Sequence, residues 1–121
     1  MAAKSLKASV RYQAGIAIID LHGEIDATAE TMLHTTYAEA ESHEVHVILL
    51  NFSDVPYINS TGIALIVTLL TRARKSNRRL LACGLSDHYV EIFQITRLAD
   101  FMTVYADEES ALKENEHIDH G

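Results

Sequence analysis

Residues 57–70 of the chain, YINSTGIALIVTLL, place three small polar residues and a glycine before a long apolar stretch. The apolar spacing predicts a helix over residues 60–76, and Ser60 stands at its start. A serine there can be an N-cap, because its hydroxyl accepts a backbone N–H two or three residues on. The same position suits an anion, because free N–H groups and the helix dipole favour negative charge. These residues alone leave two roles open for Ser60, a helix cap and a site of phosphorylation.

Gly62 falls inside the first turn of this predicted helix. A glycine there costs up to about 1 kcal/mol relative to alanine. It is favourable where another group must approach the backbone closely. We therefore expect a close neighbour at Gly62.

The segments on either side of this stretch alternate between strand and helix patterns. Residues 13–15 join the first two strands in a hairpin, and either Asp26 or Thr28 caps the first helix. A crossover helix between residues 45 and 83 requires parallel strands, so the order β-β-α-β-α-β-α-β-α predicts an α/β fold. The predicted strands are residues 6–12, 16–22, 45–52, 79–84 and 102–105, and the predicted helices are residues 27–42, 60–76, 87–97 and 107–116.

Size and charge restrict the possible partners. A chain of 121 residues predicts one domain. The net charge of −7 argues against general binding to nucleic acid or to anionic membranes, which positive charge drives. No apolar run approaches the roughly 20 residues that span a bilayer, and the N-terminus lacks the apolar core of a signal peptide. We expect a cytoplasmic protein without membrane insertion.

The sequence offers little chemistry for catalysis. His43 and His46 are three residues apart in HEVH, which differs from the HExxH spacing of helical zinc sites. Ile58 stands where a nucleophile elbow around Ser60 needs glycine, and no phosphate-binding glycine motif is present. The single cysteine, Cys83, is expected to be a small buried hydrophobe. We expect no metal, no cofactor and no enzymatic activity.

Five cations crowd into residues 72–79. They either complement the dipole at the end of the predicted helix or contact a partner. These cations are Arg72, Arg74, Lys75, Arg78 and Arg79.

Three segments in order resemble the STAS family, which includes the anti-sigma factor antagonists. They are GEID at 23–26, VILLNFSDVPYINSTGIALIV at 47–67 and GLSDHYVEIFQITRLADFMTVYADEESAL at 84–112. The resemblance implies a single domain with a small mixed sheet of about five strands and about four helices. It covers about residues 6–113, and we expect residues 114–121 to be a flexible tail.

The resemblance also implies a function. Ser60 occupies the position that a partner kinase, which is itself the anti-sigma factor, phosphorylates in the antagonists, with Thr61 as a secondary candidate. The unphosphorylated protein would bind the kinase and free a sigma factor, phosphorylation would release it, and a PP2C-type phosphatase would reset the switch. The implied partner surface comprises Glu24, Asp26, Asp54, Tyr57, Asn59, Ser60, Thr61 and Gly62.

Two positions depart from the family pattern, since Asn59 and Asn51 stand where the antagonists usually have aspartate. Both changes remove negative charge that we expect near the phosphoacceptor. One alternative is a regulatory or scaffold subunit of another complex, such as a signalling scaffold or a transporter ATPase, without control by an anti-sigma kinase. Another is nucleotide binding or hydrolysis by the isolated domain.

Overall fold

A computed structural model describes residues 4–116 of the chain. The elements follow the predicted order, with short 3-10 turns at Ala27–Ala29 and Leu98–Asp100. The strands are β1 (Lys7–Gln13), β2 (Ile16–His22), β3 (Val47–Asp54), β4 (Arg79–Cys83) and β5 (Thr103–Tyr105), and the helices are α1 (Glu30–Glu41), α2 (Ser60–Lys75), α3 (Asp87–Ile95) and α4 (Glu108–Glu116).

The five strands form one sheet in the order β1-β2-β3-β4-β5. Strands β1 and β2 are an antiparallel hairpin, and every other neighbouring pair is parallel. Ala14 and Gly15 make the hairpin turn with φ of 54° and 79°, the left-handed geometry that two-residue hairpin loops require. The mixed sheet and the α/β fold are therefore confirmed.

Side chains of β3 alternate between two hydrophobic cores. Ile48 and Leu50 pack into the larger core, which α1, α2 and α3 cover. Val47 and Leu49 pack into the smaller core, with Leu112 of α4. The nearly continuous apolar run of β3 thus reflects burial on both faces.

Helix α4 continues beyond the predicted start of the tail. Asn115 is 1% exposed, and its amide donates to the Tyr105 hydroxyl at 3.1 Å and to the Ala111 carbonyl at 2.8 Å. Arg79 donates to its side-chain oxygen at 2.7 Å. These bonds make residues 114–116 part of the helix rather than of a tail, and residues 117–121 lie outside the described part of the chain.

Among residues 4–116, no helix combines the length and the apolar character needed to cross a membrane.

Candidate functional site

The loop between β3 and α2 is held by the segment that follows β2. The Ile25 N–H donates to the Tyr57 carbonyl at 3.0 Å, and the Asn59 N–H donates to the Ile25 carbonyl at 3.1 Å. These bonds form a short parallel bridge between Ile25 and Ile58. Glu24 and Asp26, which flank Ile25, are thereby placed beside the loop that leads to α2, as the resemblance implied.

Asn59 caps helix α2. Its backbone is extended, with φ of −90° and ψ of −178°, and its Oδ1 accepts the Gly62 N–H at 2.8 Å. Ser60 is the first residue of the helix itself, so of the two roles left open for Ser60, that of the helix cap is wrong. Asparagine is among the best N-caps, and its side chain satisfies an amide that no helical carbonyl can reach.

The polar residues after the cap face solvent. Ser60 and Thr61 are both exposed, and Tyr57 in the preceding loop is 48% exposed. Gly62 is buried, and a Cβ built on it would lie 2.2 Å from the Ile25 carbonyl oxygen. The expected close neighbour of Gly62 is therefore this carbonyl, which also accepts the Asn59 N–H.

An open groove of about 280 Å³ runs from Ser60 along α2 and α3. Ile63 of α2 and Ile92 of α3 line it, together with His88. Tyr89 anchors the groove to the loop, because the Ile58 N–H donates to its hydroxyl at 2.9 Å. These α3 residues were not predicted as part of the site, because in the sequence only the helical spacing from residue 88 to 92 indicates that they share a face.

The three acidic residues of the predicted surface differ in their contacts. Asp26 caps the 3-10 turn, because its Oδ1 accepts from the Thr28 hydroxyl at 2.6 Å and from the Thr28 N–H at 2.9 Å. These two bonds lower the pKa of the Asp26 carboxyl. Asp54, at the end of β3, lies 2.7 Å from the His22 ring. Glu24 is partly buried and follows Gly23, whose N–H donates to the Asp54 carbonyl.

The sequence and the fold match known proteins. The sequence model of the STAS domain matches residues 7–111 of the chain. The chain belongs to the STAS domain family. An anti-sigma-B factor antagonist from Staphylococcus aureus is 29% identical over 86 residues, which cover 71% of this chain and 80% of that relative.

Solved structures share the STAS fold of the chain. An anti-sigma factor antagonist from Mycobacterium paratuberculosis has a TM-score of 0.79 at 16% identity, covering 91% of this chain and 93% of that one. The Bacillus cell fate determinant SpoIIAA in its phosphorylated form has a TM-score of 0.68 at 22% identity, covering 89% of this chain and 98% of that one. The predicted family is therefore confirmed.

Only one of the two asparagines that depart from the STAS pattern lies at the start of α2. Asn51 lies on the face of the sheet that α4 covers, where its amide donates to Asp20 at 3.1 Å. Its oxygen accepts the Ser53 N–H at 3.0 Å and the Ser53 hydroxyl at 2.7 Å. The expectation that Asn51 removes charge near the phosphoacceptor is wrong, because its side chain donates to Asp20 on the face of the sheet opposite to α2.

The basic run at the end of α2 makes contacts within the STAS domain. Arg72 pairs with Glu41 of α1, and its guanidinium lies 4.9 Å from the centre of the Tyr37 ring. Arg78 lies 3.6 Å from Glu41 and donates to the Val45 carbonyl at 3.1 Å. A helix of 16 residues is about 24 Å long, so these cations lie far from Ser60.

Cys83 and His43, which were considered as candidates for catalysis or metal binding, have structural roles. Cys83 is 1% exposed, and burial raises the pKa of its thiol to about 12, which disfavours the reactive thiolate. His43 lies outside any strand, and the centroid of its ring is 4.0 Å from the centroid of the Tyr12 ring. Within residues 4–116, no three histidine, cysteine or acidic side chains converge as a metal site.

Proposed function

We propose that this STAS domain is an anti-sigma factor antagonist controlled by phosphorylation of Ser60. Its unphosphorylated form binds an anti-sigma factor kinase and frees a sigma factor, and phosphorylation releases the kinase. A PP2C-type phosphatase restores the binding form. The similarity to proteins named anti-sigma-B factor antagonist supports this proposal, as does the shared fold with a protein solved in a phosphorylated form.

The proposal depends on the different roles of Asn59, which caps α2, and Ser60, which is exposed. Asn59 makes the capping bond to the Gly62 N–H, so the Ser60 hydroxyl is not needed to hold the helix start. Ser60 is exposed at the end of the groove between α2 and α3. Its hydroxyl can therefore be modified while the first turn of α2 stays capped.

The chemical step is a phosphoryl transfer from ATP. A bond forms between Ser60 Oγ and the γ-phosphorus, the bond from that phosphorus to the β,γ-bridging oxygen breaks, and ADP leaves. The hydroxyl proton passes to a base of the kinase. The phosphoserine adds roughly 1.5 to 2 negative charges at the positive end of the helix dipole, so the fold tolerates it.

The same charge alters the surface that the kinase contacts. Glu24 and Asp26 already place carboxylates beside the loop that leads to Ser60. An added phosphate makes this edge more negative and leaves the apolar groove beside it bordered by a dianion. The kinase therefore binds the phosphorylated chain more weakly than the unphosphorylated chain.

The decisive experiment combines the purified chain with an anti-sigma factor kinase and ATP. We expect mass spectrometry to find one phosphate, on the peptide that contains Ser60. Ser60→Ala should stay unmodified and keep kinase binding, whereas Ser60→Asp should lose it. Thr61→Ala is the matched control, and it should accept phosphate as the wild type does.

Three outcomes would argue against the proposal. An unmodified Ser60 after reaction with every cognate kinase would exclude this site as the phosphoacceptor. Partner binding that Ser60→Asp leaves unchanged would instead indicate a regulatory or scaffold subunit of another complex. A calorimetric response of the isolated chain to ATP or GTP would favour nucleotide binding.

A further inference from the structure

A second, larger cavity lies beside the sheet, away from the groove at Ser60. Its volume is about 730 Å³, within the range of small-molecule sites. His22 and Asp54, the last residues of β2 and β3, line it together with Gly84, which follows β4. Open α/β sheets bind ligands outside the carboxyl ends of their strands, and this cavity occupies that place.

Close backbone contacts fix the walls of the cavity. Gly84 has φ of 77°, and a Cβ on it would lie 2.8 Å from the Ser53 nitrogen. Gly23 has φ of 113°, and a Cβ on it would lie 2.6 Å from the Ser5 carbonyl oxygen. The strand ends and the segment before β1 therefore meet in a geometry that only glycine permits at both points.

Part of the lining is apolar. Val55 and Pro56, in the loop after β3, both line the cavity, and Pro56 is exposed. This exposed apolar surface accepts the hydrocarbon part of a ligand, because its contact with the ligand removes it from water.

The lining also carries more positive than negative charge. Lys4 and Lys7 both line the cavity, and within residues 4–116 neither forms an ion pair with a carboxylate. The one carboxylate of the lining, Asp54, contacts the His22 ring at 2.7 Å. Both ammonium groups are therefore available to an anion in the cavity.

We propose that this cavity binds a small organic anion with one carboxylate or phosphate headgroup and an apolar body. The headgroup lies between Lys4 and Lys7, which supply charge-assisted hydrogen bonds, and the body packs on the apolar lining at Val55 and Pro56. The cavity shares Asp54 with the predicted partner surface but shares no lining residue with the groove at Ser60. Its ligand is bound by Lys4 and Lys7, so this proposal does not depend on phosphorylation or on a kinase.

The test uses three probes that share an eight-carbon body: octanoate, octyl phosphate and the neutral octanamide. Each is titrated into the ¹⁵N-labelled full chain while amide chemical shifts are followed. We expect at least one anion to shift the amides of Gly23, Ser53, Val55 and Gly84, and octanamide to bind at least roughly tenfold more weakly. A response to octyl phosphate alone assigns a phosphate ligand, and a response to octanoate alone assigns a carboxylate.

Charge variants complete the test. Lys4 and Lys7 are exposed, so Lys4→Gln and Lys7→Gln should fold, and each should weaken binding of the anion by roughly tenfold. Lys75→Gln, at the far end of α2, is the matched control and should bind as the wild type does. The proposal is overturned if no probe shifts the cavity amides at millimolar concentration, if octanamide binds as tightly as the anions, or if both lysine variants bind unchanged.

Discussion

At the start of α2, one side-chain oxygen, Asn59 Oδ1, holds the first helical turn by accepting the Gly62 N–H at 2.8 Å. The adjacent Ser60 is exposed and is the first residue of the helix after the cap. An aspartate at position 59, usual in the STAS pattern, offers the same acceptor oxygen with an added negative charge. Asn59 therefore preserves the geometry of the site while it removes one charge beside the proposed phosphoacceptor.

The roles of these two residues can be separated by stability measurements. Asn59→Ala should lower the free energy of unfolding by about 1 kcal/mol, because the Gly62 N–H loses its acceptor. Ser60→Ala should change it by less than about 0.5 kcal/mol. Urea denaturation measures both, and Asn59→Asp, which keeps the acceptor, is the control. If Ser60→Ala lowers the free energy of unfolding as much as Asn59→Ala does, Ser60 contributes to the cap.

At the scale of elements, the sequence predicted every strand and helix in order, but it placed several ends a few residues away. Val45 is buried and apolar, so hydrophobicity alone extended β3 to residue 45, although its ladder begins at Val47. The contact of Tyr89 with the Ile58 N–H joins residues 31 positions apart. A bond between distant segments leaves no local pattern, so this part of the site needed the structure.

The close approach at Gly62 couples α2 to the segment after β2. Gly62→Ala would place a Cβ 2.2 Å from the Ile25 carbonyl oxygen, so the helix must shift. Such overpacking costs about 1–3 kcal/mol, whereas the helix propensity of alanine returns at most about 1 kcal/mol. Urea denaturation should show net destabilisation. Ala64→Gly, exposed on the same helix, should lose about 1 kcal/mol by propensity alone. A stabilised Gly62→Ala would rule out the close approach.

At the scale of the whole molecule, one face of the sheet carries the candidate site and the other carries a cluster of charged residues. The face that α1, α2 and α3 cover carries the start of α2 and its groove. The other face holds a polar cluster in which Arg11 pairs with Asp20 of β2 and with Glu108 of α4. Sequence patterns predicted the order of the strands and helices, but they could not pair Arg11 with Glu108, which lies 97 residues away.

This cluster makes the stability of the domain depend on pH. The Arg11 guanidinium donates to both Asp20 oxygens, at 2.6 and 2.9 Å, and holds the pKa of that carboxyl below its usual range. A lowered pKa in the folded state stabilises the fold above the unfolded pKa of about 3.9, and this stabilisation is lost as pH falls through the folded value.

Asp20→Asn should therefore lower the free energy of unfolding at pH 7 by about 1 kcal/mol, because Arg11 loses a charged partner. The difference from the wild type should shrink as pH falls below about 4, where the unfolded state takes up the proton first, and should vanish below the lowered pKa of the folded carboxyl. Urea denaturation across this pH range measures the difference. Glu91→Gln, which removes an exposed carboxylate from α3, is the control and should stay within about 0.5 kcal/mol of the wild type. An Asp20→Asn difference that is constant from pH 7 to acid would show that Asp20 acts through packing rather than through its charge.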